Sequence, residues 1–254
     1  MLQSSPCHTV MFRFLILLSL LALQFPGSSF AVEYSTILFH HGIRATVCRV
    51  KVREEHLDLF HRDENGVPFK RFDRLQKWLG ERDKKLVFAM NAGMYHGDFS
   101  AVGLYISQGQ QHVPLNTDNG WGNFFLKPNG VFALTEAGAC VVETSEFPRL
   151  REHVTLATQS GPLLVRAGHI HPAFNPQSKS LLFRNGVGIP SPDVAVFVIA
   201  ETPLSLYQFA ALFRDELHCP DALYLDGTIS ALYAPSLRRD DFKMELGPIV
   251  GVTE

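Results

Sequence analysis

Past residue 43, apolar and polar positions alternate in short runs, and two stretches switch to helical spacing. Residues 44–53 (RATVCRVKVR) set Cys48, Val50 and Val52 against Arg49, Lys51 and Arg53. Such period-two alternation predicts a half-buried strand. Over 69–79, Phe69, Phe72, Leu75, Trp78 and Leu79 recur at helical spacing before Gly80, which predicts a surface helix. The apolar run 86–90 (LVFAM) predicts a short strand leading straight into Asn91-Ala92-Gly93. Further short strands are expected at 101–107, 111–115, 123–126, 130–135, 139–143, 153–158 and 162–166, between Gly and Asn turns. Strands this closely spaced suggest hairpins and antiparallel pairing.

The last third repeats the theme with longer elements. Residues 193–200 (DVAVFVIA) predict a fully buried strand. A helix follows, with Thr202 as its cap, Pro203 in its first turn, and Leu206, Phe209, Ala210, Phe213 and Leu217 as its apolar face. Residues 222–225 predict a strand ending at Asp226-Gly227, and 249–252 a closing strand. Few helices and no strict strand–helix alternation predict an α+β fold, with mixed, largely antiparallel sheets and a few flanking helices in a single domain.

The N-terminus follows another pattern. Arg13 precedes the apolar run 14–23, broken only by Ser19, and Ser29-Phe30-Ala31 has a small-x-small form. Residues 1–31 therefore read as a secretory signal peptide, with Met11 an alternative start. A membrane anchor is the competing reading, but a helical span needs ~20 apolar residues. Cleavage would leave a domain over 32–254, periplasmic or secreted, with no stable membrane span. The segment holds one Arg and no acid, so 22 basic and 25 acidic residues remain. That near balance gives no footprint for nucleic acid or an anionic membrane. No Gly loop of the dinucleotide or Walker type opens a βαβ unit, and no cofactor is expected. Cys48, Cys140 and Cys219 fit no zinc spacing. Pairing of Cys140 with Cys219 stays open, and Cys48 reads as a buried thiol.

Four segments set polar residues beside Gly just after apolar runs: 91–95, 122–132, 158–162 with 184–188, and 225–230. Each alone is equally a hairpin turn. Ser160 lacks the Gly-x-Ser-x-Gly elbow of a serine hydrolase. His169 and His171 could share one face as metal ligands, although H-x-H between Gly168 and Pro172 reads more simply as an exposed hairpin, and no metal is expected. His40-His41-Gly42 reads as a turn.

Taken together and in this order, NAGMY, GNFFLKPNGVF, TQSGPLLV, RNGVG and LDGTIS resemble the phosphodiester glycosidase family, over about Asn91 to Val252. The GNFFLKPNGVF stretch is most similar to the exported bacterial branch. The resemblance implies a hydrolase for a sugar-1-phosphodiester. A phosphate leaves as a stable anion and needs positive charge and hydrogen-bond donors more than a proton. Under this resemblance Asp226, Arg184 and Ser160 are the expected catalytic residues. Asp226 would stand at the anomeric centre, Arg184 would clamp phosphate against a competing role in a surface ion pair, and Ser160 would be a positioning donor. Asn91, Gly93, Asn123, Asn129, Gly161, Gly227 and Ser230 are the expected substrate-binding residues, with a phosphosugar or glycan as partner. Thr228 stands where the family usually has a second Gly, which opens the alternative of a non-catalytic glycan-binding module; a metal-dependent phosphodiesterase is a third reading.

Overall fold

Strands outnumber helices because β-branched and aromatic residues dominate the alternating runs. The computed structural model describes Met1 and residues 32–150, 154–227 and 229–254. The expected signal segment and Thr228 lie outside the described residues.

Three sheets are built from these strands. The largest has seven, in the order β1 (Glu33–Phe39), β2 (Ile43–Lys51), β13 (Val194–Ala200), β12 (Asn185–Ser191), β14 (Asp221–Asp226), β10 (Leu163–Arg166) and β11 (His169–Ile170). A second runs β16 (Arg239–Asp240), β15 (Leu232–Ala234), β4 (Leu86–Asn91), β17 (Ile249–Thr253) and β3 (His56–Phe60). The third runs β6 (Gln110–Val113), β5 (Tyr105–Ser107), β9 (Val154–Ser160), β7 (Gly130–Thr135) and β8 (Gly138–Glu143). Neighbouring strands pair antiparallel in all three. The fold is α+β, as the pattern implied.

The sheets share one core. Phe197 of the first sheet lies 5.3 Å from Phe88 of the second and 5.6 Å from Phe132 of the third, ring centre to ring centre. All three are buried, and aromatic rings at these separations add to the stabilisation from buried area. Each outer face carries its own apolar layer. Helix α1 (Phe72–Gly80) lays Phe72, Leu75 and Leu79 on the second sheet. Helix α2 (Leu206–Ala211) widens into a π turn over Leu212–Glu216 and packs Phe209 and Phe213 on the first.

Several local expectations change. β2 is buried on both faces at its centre, because Ala45 and Val47 pack under α2 while Cys48 and Val50 face the shared core. Residues 123–126 form no strand; Asn123–Phe125 is a 3-10 turn entered through Gly122 at φ 94°. α1 begins at Phe72, with Phe69 packing on Trp78 at 5.2 Å. α2 is capped by Ser205, not Thr202. The Ser205 hydroxyl accepts from Gln208 N, and the Gln208 side chain accepts from Ser205 N, a reciprocal box that satisfies two helix-end donors. The RNGVG segment is no turn but the start of central strand β12, where Gly188 leaves room for Phe213. The 40–42 turn is present, joining β1 to β2. Cys48, Cys140 and Cys219 are all free thiols, so Cys140 and Cys219 do not pair.

Candidate active site

Ends of five strands meet at one place. Asn91 closes β4, Ser160 closes β9 opposite Gly130 at the start of β7, and Asp226 closes β14 opposite Asn185 at the start of β12. Paired amides stitch these ends together. Asn185 Nδ2 donates to Asn91 O at 3.1 Å and to Asn91 Oδ1 at 3.0 Å. Asn185 Oδ1 accepts from Asp226 N at 2.9 Å, and Asn91 Oδ1 accepts from Ala231 N at 2.9 Å. The 226–231 segment is thus pinned at both ends by buried side chains. Net stabilisation per such bond is about 1 kcal/mol, and leaving a buried partner unsatisfied costs more.

Ser160 belongs to the same framework. Its hydroxyl is fully buried and donates to Leu225 O at 2.9 Å, one residue before Asp226. Asn129 Nδ2 donates to Phe124 O at 2.8 Å and fixes the Asn123 turn. Close approach explains the glycines. A Cβ on Gly161 would stand 2.7 Å from Asn129 Cβ and 2.8 Å from Phe124 O. On Gly93 it would stand 2.5 Å from Thr158 Oγ1, the atom that accepts from Gly93 N. On Gly227 it would fall 2.0 Å from the Tyr224 hydroxyl oxygen. Ser230 is buried, its hydroxyl 3.5 Å from Asp226 O.

Arg184 corrects the reading of a surface ion pair, and its guanidinium is held inside the fold. Its side chain is only 2% exposed. Nε donates to Leu204 O at 2.8 Å, Nη2 to Ser180 O at 3.2 Å and Nη1 to the Tyr224 hydroxyl at 3.1 Å. Tyr224 also senses the charge of Asp226. Burial above all, then Asp226, pushes the Tyr224 phenol up to about 12, against the pull of Arg184. The phenol is therefore protonated at neutral pH.

Asp226 stands on the open side. With Met94, Tyr95, His96, Phe99, Ile229 and Glu245 it lines a cavity of about 550 Å³. Tyr95 and Phe99 stack there, centres 5.7 Å apart and planes at 14°. The Tyr95 phenol is pushed up to about 12 by burial and then by the negative charges of Asp226 and Glu245. Its hydroxyl donates to Glu245 O, and the Glu245 carboxylate pairs with Lys70 at 3.1 Å. A larger open groove of about 920 Å³ lies on the other side of the 96–101 hairpin, between Trp78, His61 and Tyr105, and holds none of the expected site residues.

The structure thus brings Asn91, Asn123, Ser160, Arg184, Asp226, Gly227 and Ser230 into one neighbourhood, with Gly93, Asn129 and Gly161 holding the adjoining loops. Most of them are buried framework; Asp226 is the expected residue that faces the cavity. Sequence reasoning missed Asn185, Tyr224, Tyr95 and Glu245. Asn185 and Tyr95 lay inside quoted motifs, whereas Tyr224 read as part of an apolar run and Glu245 carried no signal. His169 is exposed on β11 and His171 is buried beyond it, with Nδ1 accepting from Ala173 N at 3.2 Å. Among the described residues no group of three or more His, Cys, Asp or Glu side chains is placed to hold a metal ion, and no helix is long and apolar enough to cross a membrane.

Comparison with known proteins bears on family and fold. The family model described as phosphodiester glycosidase matches residues 84–245. The uncharacterized protein YigE of Escherichia coli K12 is 41% identical over 145 residues, which cover 57% of this chain and 57% of that protein. The catalytic domain of zebrafish N-acetylglucosamine-1-phosphodiester alpha-N-acetylglucosaminidase, auto-inhibited by its pro-peptide, shares the fold at TM-score 0.59 and 14% identity, over 87% of this chain and 81% of that one. A hypothetical protein from Synechocystis aligns at TM-score 0.53 and 13% identity, over 87% of this chain and 61% of that one.

Proposed function

The chain belongs to the phosphodiester glycosidase family, and from that premise we propose that it is an exported hydrolase that cleaves the bond between a sugar anomeric carbon and a phosphodiester. The observation that carries this reading is the placing of Asp226. It is a carboxylate at a strand end, open to a cavity and followed by Gly227, which lies against the Tyr224 hydroxyl that accepts from the buried Arg184. Export rests on the pattern of residues 1–31.

In this reading the sugar occupies the cavity, with one face on the Tyr95–Phe99 stack. Asp226 stabilises or attacks the oxocarbenium-like anomeric carbon, or activates water toward it. The departing phosphate keeps the electron pair of the C–O bond and needs no proton at neutral pH. Positive charge reaches it from Arg184 through the Tyr224 hydroxyl, one layer behind the loop. Main-chain N–H groups of the loop supply donors, and preorganised donors of this kind stabilise developing charge. Asn91, Ser160 and Ser230 position the loop and do not touch the reacting atoms.

Turnover of a hexose-1-phosphodiester is the test, with Asp226→Asn and Arg184→Ala alongside the native protein. Full turnover by Asp226→Asn sinks the assignment. Thr228 favours a second reading, a glycan-binding module without turnover. Binding without hydrolysis by the native protein would establish it. Chelation tests the metal-dependent alternative, and turnover unaffected by chelator removes it.

A further inference from the structure

The larger groove beyond the 96–101 hairpin has a built interior of its own. Ser100 and Ala101 line it, whereas His96, Gly97 and Phe99 line the Asp226 cavity. One wall is the β5–β6 hairpin. Its turn residues Gln108 and Gly109 take left-handed φ of 51° and 74°, the two-residue turn that suits paired strands. Alternate residues of a strand share a face. Tyr105 and Ser107 of β5, with Gln110 and His112 of β6, all line the groove. The Tyr105 ring lies 5.6 Å from His112 and 5.4 Å from His61, centre to centre. Trp78 of α1 supplies another wall and is held firmly. Phe69 packs on it at 5.2 Å, the Arg82 guanidinium carbon stands 4.0 Å from its ring centre, and its Nε1 donates to Glu64 at 2.8 Å.

The charged groups of this groove are satisfied within the protein. Glu64 accepts from Trp78 and from Arg82, Asp63 accepts from Asn65 N and Val67 N, and Arg62 donates to Gly66 O. Two arginines thus stand with two acids, and their charges cancel. The side chains of Gln108, Gln110 and His112 are exposed and make no hydrogen bond among the described residues. Amides donate and accept at once, as sugar hydroxyls do. Aromatic walls with a few placed polar groups are the usual lining of a ligand site. At about 920 Å³ the groove exceeds the Asp226 cavity of about 550 Å³, so it has room for more than the sugar assigned there. We infer that this groove is a second carbohydrate site, which holds a neutral oligosaccharide between the uncommitted side chains of the β5–β6 hairpin and the aromatic wall of Trp78 and Tyr105. Side chains of one strand face line it, whereas a peptide that adds to a sheet bonds main-chain groups along a strand edge. The site is independent of turnover at Asp226.

Fluorescence titration tests it in the full chain carrying Trp121→Phe, where Trp78 is the remaining tryptophan. Maltotetraose, cellotetraose and tetra-N-acetylchitotetraose are the neutral probes. A hyaluronan tetrasaccharide and an uncharged serine–glycine tetrapeptide blocked at both ends are the contrasts. At least one neutral sugar should shift Trp78 emission saturably. Gln110→Ala combined with His112→Ala removes two polar contacts and should weaken that binding about tenfold. Both side chains are exposed, so the melting temperature should not move. Asp226→Asn should leave the titration unchanged. No saturable shift with any of the three neutral sugars overturns the inference. So does a shift that the double variant leaves intact, or tighter binding of the acidic sugar or the peptide. A shift lost in Asp226→Asn assigns the sugar to the other cavity and overturns it as well. Turnover of a hexose-1-phosphodiester is scored separately, so the failure of either reading leaves the other standing.

Discussion

Behind the Asp226 turn, Asn91, Asn185 and Ser160 direct their hydrogen bonds to main-chain groups and to one another, out of contact with water. In front of it, the wall is aromatic, half-open and charged, with Tyr95, Phe99 and Glu245 around Asp226. The same short segment thus separates a framework, where a substitution strikes folding, from a working face, where it strikes chemistry. The motif residues fall mostly on the framework side. A polar residue beside a Gly turn in this fold is therefore first a device for fixing strand ends. Only the side chain left facing the cavity is a candidate for contact with substrate.

The sharpest separation comes from substituting one residue on each side. Asp226→Asn keeps the oxygen that accepts from Gly227 N, so the melting temperature should stay close to that of the native protein. Turnover should fall by about 10²–10⁴-fold, the range for removing a positioned acid or base. A comparable loss of stability would erase the distinction between the two faces. Asn185→Ala should do the reverse. It strips partners from Asp226 N and the Asn91 side chain inside the fold, and should cost about 3 kcal/mol by the penalty for unsatisfied buried groups. Urea unfolding midpoints measure it. An Asn185→Ala protein as stable as the native one would show that the amide lattice is incidental.

A milder probe of the framework is Gly188→Ala on β12. The added methyl would lie 2.6 Å from Phe213 Cδ1 and 2.7 Å from Cys219 Sγ. Overpacking of this kind costs about 1–3 kcal/mol. Because Gly188 is three residues along β12 from Asn185, turnover per folded molecule should be unchanged, and a large loss would extend the functional region into the helix layer.

How much of this was legible beforehand follows the same division. The strands at 86–90, 130–135, 139–143 and 193–200 were readable because apolar runs stop at Gly, Asn or charge. β1 was not, since as an edge strand it buries little and shows no clean alternation. The RNGVG segment misled because Asn-Gly is a turn signal, yet here Gly188 admits an aromatic ring onto a central strand. That requirement belongs to the partner helix and leaves no trace in local pattern. Thr202 and Ser205 both suit a helix cap; Gln208, three residues after Ser205, decides between them by its capping-box spacing. The neighbourhood of the motifs was legible through the family resemblance. The burial of Arg184 was not, because no local sequence signal tells a guanidinium bound to carbonyl oxygens from one offered to a phosphate.

The smallest effect lies on the far side of the 96–101 hairpin and concerns pH. His61 is buried and its Nε2 faces Phe99 O at 2.6 Å, tying β3 to the residue whose ring lines the Asp226 cavity. Burial chiefly lowers its pKa, the Phe99 carbonyl opposes this, and Arg62 and His112 add to the lowering. Burial lowers His171 in the same way. In the unfolded chain a histidine titrates near 6.5. The unfolded state therefore binds more protons as pH falls past that value, and stability declines with acid while remaining fully present above it. His61→Gln should make that decline shallower between neutral pH and the lowered folded value, with His171 accounting for part of what remains. Melting temperatures across that window measure the slope. If His61→Gln leaves the slope unchanged, the hairpin is not proton-linked through this contact, and the acid sensitivity of the fold must come from groups on the framework side.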